Sequence, residues 1–329
     1  MGSLDGTMAP ATAAGWLAEH RVALTGHCYR MLGSVAEADD AVQETLLRAW
    51  RSLAGFDGRA AIRTWLYRIA TNVCLDALAE RKRRQRPVLC REVGTIDEAL
   101  TALPGSAWIE PIPDAAAIPT DVDPAQQLAL RQTIRLAFVA ALQHLPPRQR
   151  AVLLLADVLD LSAAEIAGSL AMSRAAVNSA LQRARATMAS RDISPSQPPP
   201  TLSARDEALV SRYVQAFERY DMDALIQLLH DEVTLSMPPY TLWLRGPETV
   251  RAWMLGRGAA CQGSRLVPTA ACGLPAFGQY RASVPGPGYH AWSLIVLEYD
   301  AAKSRITAMN HFLDTAALFP RFGLPLSLD

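Results

Sequence analysis

The chain has 329 residues, half of them hydrophobic, and 32 basic side chains balance 32 acidic ones. That length supports two or three modest domains with cores of their own, and the apolar fraction excludes a disordered chain. Apolar runs such as residues 151–156 are short and flanked by Arg and Asp, and no two cysteines form a Cys-x-x-Cys pair, so no membrane span, metal site or disulfide framework is expected.

The zero net charge conceals a pattern. Residues 1–87 carry 12 basic against 9 acidic groups, 88–125 carry 1 against 7, 126–190 carry 7 against 3, and 191–329 carry 12 against 13. Two basic blocks separated by an acidic segment suggest two nucleic-acid contacts joined by something that avoids DNA.

In chain order, residues 16–87 show long 3.6-period apolar patterns and read as helical. Within them Asp39, Asp40, Gln43 and Glu44 cluster at spacings of three and four, while Val42, Leu46 and Ala49 can face a core. Taken alone, such a cluster is a solvated helix face. The run Arg81-Lys82-Arg83-Arg84 suits phosphate contact, or a helix C-terminus. Six prolines between 87 and 124 read as an irregular linker over 88–125.

Helical periodicity returns over 126–190. Ser162 followed by Glu165 has the spacing of a capping box, a turn falls near Ala171, and Ser173 can cap a second helix. That helix places Val177, Leu181, Ala184 and Met188 on one face and Arg174, Asn178, Gln182 and Arg185 on the other, with Ser179 and Arg183 beside them. A polar face of this kind is what major-groove reading requires, since Asn and Gln pair with adenine and Arg with guanine.

Residues 191–203 form a second Pro-rich linker. In 204–329, Leu209, Tyr213 and Phe217 mark one helix and Leu225, Leu228 and Leu229 a second; strands are expected at 233–237, 290–299 and 305–313. His230, Asp231, His290, His311 and Asp314 are candidate acid/base groups without a spacing that demands chemistry, so no catalytic residue is assigned. Trp243, Trp253 and Trp292 read as core or cavity wall.

The motif Leu145-Pro146-Pro147-Arg148-Gln149-Arg150, the helix from Leu161 and the segment Val177–Arg185 closely resemble region 4 of extracytoplasmic-function (ECF) sigma factors. Upstream, the stretch 38–50 resembles region 2.2, and Thr64–Asn72 with Leu75-Asp76 resembles regions 2.3 and 2.4. The resemblance implies core RNA polymerase as partner, with the β′ clamp on Asp39, Asp40, Gln43 and Glu44 and the β flap near region 4. It further implies promoter DNA, with the minus-35 element on Arg174, Asn178, Ser179, Gln182, Arg183 and Arg185. Tyr67, Arg68 and Asn72 would then capture unstacked minus-10 bases, and Arg81–Arg84 would grip phosphates.

Residues 204–323 resemble the SnoaL-like branch of the NTF2-like fold, as in sigma-G-like fusions, whose Trp/Pro/Glu linker motif is similar to Trp108–Asp114 here. Trp108 and Pro111 are therefore the expected docking point between domains. The expected molecule is multidomain: two all-α sigma domains and an α+β cone that modulates them and is the candidate holder of a small-molecule ligand. It would act in the cytoplasm with no cofactor. A SnoaL-type enzyme with a DNA-binding appendage, or a simple repressor, would have no use for residues 38–76.

Overall fold

The computed structural model describes residues 19–53, 61–79, 84–190, 203–283 and 286–329. The expected linker over 191–203, except Ser203, and the basic residues Arg81, Lys82 and Arg83 lie outside them. The chain divides into two compact units, one of residues Met1–Arg84 with Asp114–Pro198, the other of Gln85–Pro113 with Pro199–Asp329.

The first unit is helical. Helices α1 (Arg21–Leu32), α2 (Val35–Ser52) and α3 (Ile62–Leu78) enclose a core of Leu24, Tyr29, Val42, Leu66 and Val73. Ser34 caps α2 by accepting the Glu37 amide at 3.3 Å. Helices α4 (Pro124–Thr133), α5 (Leu136–Leu142), α6 (Pro147–Leu153), α7 (Ala163–Leu170) and α8 (Arg174–Ala189) follow. α4 opens with Pro124 in its first turn and Asp123 as its cap, the placement in which proline favours a helix.

Two buried guanidiniums fasten the early helices to the later ones. Arg30 donates to Thr133 Oγ1 at 2.7 Å and to the Leu130 carbonyl at 3.2 Å. Arg150 donates to the Met31 carbonyl, to Gln143 Oε1 at 2.8 Å and to the Leu145 carbonyl at 3.3 Å. Burial lowers both guanidinium groups to about 10, so they stay charged at neutral pH. No carboxylate among the described residues pairs with either, which leaves backbone, hydroxyl and amide oxygens to compensate the charge.

The second unit is α+β. Helices α9 (Ala204–Glu218), α10 (Met222–Ile226) and α11 (Pro247–Leu255) accompany one sheet of strands β1 (Leu229–Ser236), β2 (Trp243–Arg245), β3 (Arg265–Ala271), β4 (Leu274–Ala282), β5 (Tyr289–Asp300), β6 (Arg305–Phe312) and β7 (Ser327–Leu328). The order is β2-β1-β6-β5-β4-β3, with β7 on β5; only the β1–β6 pair is parallel. Leu209, Tyr213 and Phe217 of α9 pack with Phe277, Ile295 and Leu297 of the sheet. The second expected helix is shorter than its leucines suggested: it ends at Ile226, and Leu229 already belongs to β1.

The segment expected to be an irregular linker with a docking point at Trp108 and Pro111 is divided between the two units. Residues Gln85–Pro113 belong to the second. Gly94 N–H donates to the Trp243 carbonyl, Leu103 N–H to Pro239, Thr241 N–H to Thr101 and Cys272 N–H to Ile112, all at 2.9–3.0 Å. Trp243 Nε1 donates to the Arg91 carbonyl at 2.9 Å. Arg86 bonds to Glu298, and to Asn310 Oδ1 at 3.1 Å. Proline removes the amides a helix would need, yet leaves this strand-like edge pairing open. From Asp114 onward the chain joins the helical unit, through the single turn Asp114–Ala117.

Candidate nucleic-acid interface

The helix-turn-helix forms from the cap signals. Ser162 N–H donates to Glu165 Oε2 at 2.9 Å and the Glu165 amide returns a bond to Ser162 Oγ, which closes a capping box. The Ser162 hydroxyl, donating to Glu165 Oε2 at 2.7 Å, and then the Ser162 N–H hold the Glu165 carboxyl below its usual value. α7 ends at Ala171 in the left-handed region, φ +50°, and Ser173 then caps α8 by accepting the Ala176 amide at 3.1 Å.

α8 buries Val177, Ala180, Ala184 and Met188, whereas Leu181 is only half-buried. Arg174, Asn178, Ser179, Gln182, Arg183 and Arg185 are all exposed. Three of the six are already engaged: Arg183 donates to Ser179 Oγ at 2.5 Å, and Arg185 forms a fork on Asp157 at 2.6 and 3.2 Å. Arg174, Asn178 and Gln182, four residues apart, are the row best placed for a base edge.

On α2 the buried stripe is Val35, Ala38, Ala41, Val42, Thr45 and Ala49. Asp40 and Gln43 are exposed, Asp39 and Glu44 half-buried, and Arg48 ties Glu44 (2.6 Å) to Asp76 of α3 (3.3 Å). The same outer arc carries Leu47 and Trp50, each 42% exposed. Sequence reading missed these two, although they follow Asp40 and Gln43 at helical spacings. Two large apolar side chains thus stay exposed beside charge on one helix face.

The minus-10 candidates are less open than expected. Arg68 is exposed, but Tyr67 is 4% exposed. Its ring meets His27 edge-on at 5.3 Å, with Arg63 over its face at 5.6 Å. It lies at a small cleft shared with Ala117, Pro119, Val122 and Leu130. Asn72 is half-buried and donates to the Arg68 carbonyl at 2.9 Å and to the Ser169 carbonyl at 3.5 Å. Arg84, expected as a phosphate contact, is instead buried in an ion pair with Glu37 at 2.6 Å.

In the second unit Trp108 and Pro111 are buried, with Ile109 and Ile112, in the segment stitched along β2 to β4. Trp243 is buried; Trp253 and Trp292 line a cavity. Of the acid/base candidates only His311 lies at that cavity. His290 and Asp231 are exposed, His230 sits 3.1 Å from Lys303 Nζ, and Asp314 caps a helical turn through the Ala317 amide. Among the described residues no group of His, Cys, Asp or Glu could hold a metal ion, and no helix is long and apolar enough to cross a membrane.

Comparison with known proteins agrees with this division. Residues 16–84 match the family model Sigma-70 region 2, 135–188 match Sigma-70 region 4, and 210–309 match the SnoaL-like domain. The ECF RNA polymerase sigma factor SigG of Mycobacterium tuberculosis is 45% identical over 316 residues, 94% of this chain and 83% of that protein. SigJ of the same organism is 29% identical over 85% of each chain. The crystal structure of M. tuberculosis SigJ superimposes with a TM-score of 0.60 at 22% identity, covering 95% of this chain and 99% of that one, so the fold is shared over nearly the whole length. With two helical sigma modules and a SnoaL-like α+β domain in one chain, this protein belongs to the ECF RNA polymerase sigma factors, which direct promoter-specific transcription initiation.

Proposed function

We propose that the outer arc of α2, comprising Asp39, Asp40, Gln43, Glu44, Leu47 and Trp50, seats on the β′ clamp of core RNA polymerase. The observation that carries this reading is the joint exposure of Leu47 and Trp50 beside the acidic cluster. An apolar centre ringed by charge is the composition of a protein interface rather than of a nucleic-acid one. Region 4 would contact the β flap, and the whole molecule would work in the cytoplasm, where polymerase and promoter are.

Minus-35 reading falls to α8. Asn178→Ala or Gln182→Ala should alter the preferred upstream sequence, because each good base contact is worth roughly 1–3 kcal/mol of discrimination. Binding selections from a randomised promoter pool would show this. An equal loss on every sequence would instead make the two residues phosphate contacts. Arg81, Lys82 and Arg83 remain candidates for the phosphate grip; Arg84, in its buried pair, serves α2 rather than DNA.

Minus-10 reading by Tyr67, Arg68 and Asn72 requires that the chain at 117–122 and α7 move off α3. The present arrangement of the helical unit is thus a resting one, and polymerase or promoter draws it open by binding the open form better.

The SnoaL-like domain modulates this step through the 85–113 segment and is the candidate site for a small-molecule ligand. Trp108→Ala should loosen the segment and reproduce part of the effect of deleting residues 204–329. Run-off transcription with core polymerase on one promoter, using parent, Trp108→Ala and a chain ending at Arg191, measures it. Identical activity for all three would remove the regulatory role.

A further inference from the structure

Inside the second unit a cavity of about 270 Å³ is bounded by residues of β1, β4, β5 and β6 on one side and by α11 and the turn after it on the other. That is near the small end of ligand pockets, roughly 300–1,000 Å³. Its walls are mostly apolar: Leu235, Met254, Leu313 and the rings of Trp253, Trp292 and Tyr240. Besides the exposed Arg257 and the Tyr240 hydroxyl, two polar groups interrupt them.

The first is His311, whose protonation pattern is set by a relay behind it. Gln279 Nε2 donates to Ser264 Oγ at 3.0 Å, and Gln279 Oε1 accepts the Ser293 hydroxyl proton at 2.7 Å. Ser293 has then spent its hydrogen, so its oxygen accepts from His311 Nδ1–H at 3.3 Å. The other ring nitrogen, Nε2, is left as a bare acceptor, buried without a hydrogen-bond partner. Burial, helped by Arg281, lowers this imidazole to about 4, which keeps it neutral and the acceptor intact at physiological pH.

The second is Arg281. Its guanidinium lies 3.3 Å from the centroid of the Trp292 ring and donates to Cys261 Sγ at 3.0 Å. Its Nε is buried without a hydrogen-bond partner, and no carboxylate among the described residues pairs with it. Leaving a buried donor and acceptor unmade costs free energy, so such a pair in an otherwise apolar cavity calls for an explanation.

We propose that this cavity binds a small amphipathic acid: a flat apolar body of one or two rings whose carboxylate meets Arg281 and whose adjacent hydroxyl donates to His311 Nε2. The proposal deepens the ligand reading of the SnoaL-like domain given above and rests on it. Cation, acceptor and aromatic walls each take one feature of that molecule.

The site is also wired to the segment between the sigma modules. Leu100 of that segment lines the cavity, and Arg257, at the same cavity, donates through Nη1 to the carbonyls of Ile96 (3.2 Å) and Glu98 (2.6 Å). Occupancy therefore bears on how firmly 96–100 is held, to the extent that the ligand prefers the docked form.

Fluorescence titration of the full chain with 3-hydroxy-2-naphthoate, 2-naphthoate and 2-naphthol tests this. The two-headed acid should bind about tenfold tighter than either single-headed probe, as expected for one added hydrogen bond to a charged or buried partner. Arg281→Met should cancel the advantage of 3-hydroxy-2-naphthoate over 2-naphthol, and His311→Phe should cancel only its advantage over 2-naphthoate. The three-probe comparison on the parent chain stands even if a variant fails to fold. No saturable binding, equal affinity for all three probes, or full acid binding by a folded Arg281→Met chain each overturns the proposal. None of these results depends on transcription, so they leave the sigma-factor assignment untouched. Loss of regulation with binding intact would separate the two in the other direction.

Discussion

An Arg150→Met chain is expected to lose about 3 kcal/mol of stability in its helical unit, the largest single-site effect foreseen. The side chain fits the same space, but the Met31 carbonyl, the Leu145 carbonyl and Gln143 Oε1 would all lose their shared donor. Replacing a buried hydrogen-bonded cation leaves its partners desolvated, which costs more than the bond was worth on balance. In a unit of this size the thermal midpoint should fall by roughly 6–12 °C. Because Arg150 ties α6 to the end of α1, the loss should fall on the contact between the two sigma modules. Tyr67 should then become more reactive to surface-directed nitration, and single-stranded minus-10 DNA should bind the free protein more tightly. A midpoint equal to the parent's would show that the tie contributes nothing.

The second large effect concerns polymerase binding. Trp50→Ala should weaken the complex with core enzyme by at least about thirtyfold, on the order of the 2 kcal/mol that marks an interface hot spot. Asp40→Lys with Glu44→Lys should slow association and remove most of its dependence on salt, with a smaller effect on dissociation. Both substitutions lie on an exposed arc, so helical content should not change. Binding kinetics measured on immobilised core enzyme would decide it. Parent-like dissociation for Trp50→Ala would mean that α2 is not the anchor.

Much of this was legible in the sequence, and where it was not the reasons are physical. The exposed polar face of α8 follows from 3.6-residue periodicity and two serine caps, both local. Leu47 and Trp50 escaped because an apolar residue on an amphipathic helix is assumed to face inward, yet they share the arc of Asp40 and Gln43. Tyr67 misled for the opposite reason: it falls with Ala70, Thr71 and Cys74 at positions three, four and seven residues on, the stripe that is buried. Arg84 was read with its three basic neighbours, whereas its partner Glu37 lies 47 residues away.

The seat of the 85–113 segment was beyond any local pattern. Its pairings, such as Ile112 with Cys272, span 160 residues, and prolines announce only what a segment does not form. The cavity pair was half visible. His311 stood among the candidates, but the relay through Ser293 and Gln279 depends on strand register, which no periodicity of single strands reveals.

The membership of Gln85–Pro113 in the second unit also has a temporal side. A ribosome makes this segment before the strands that hold it, and β6, which supplies Asn310 for Arg86, is complete only about 200 residues later. At about 5–20 residues per second that interval lasts roughly 10–40 s. Throughout it the first sigma module is finished while Ile109 and Ile112 have no platform. A nascent chain therefore passes through a stage in which its sigma modules exist without the seated segment proposed to modulate them, and synthesis cut short before β6 would release a chain whose 85–113 segment lacks that seat.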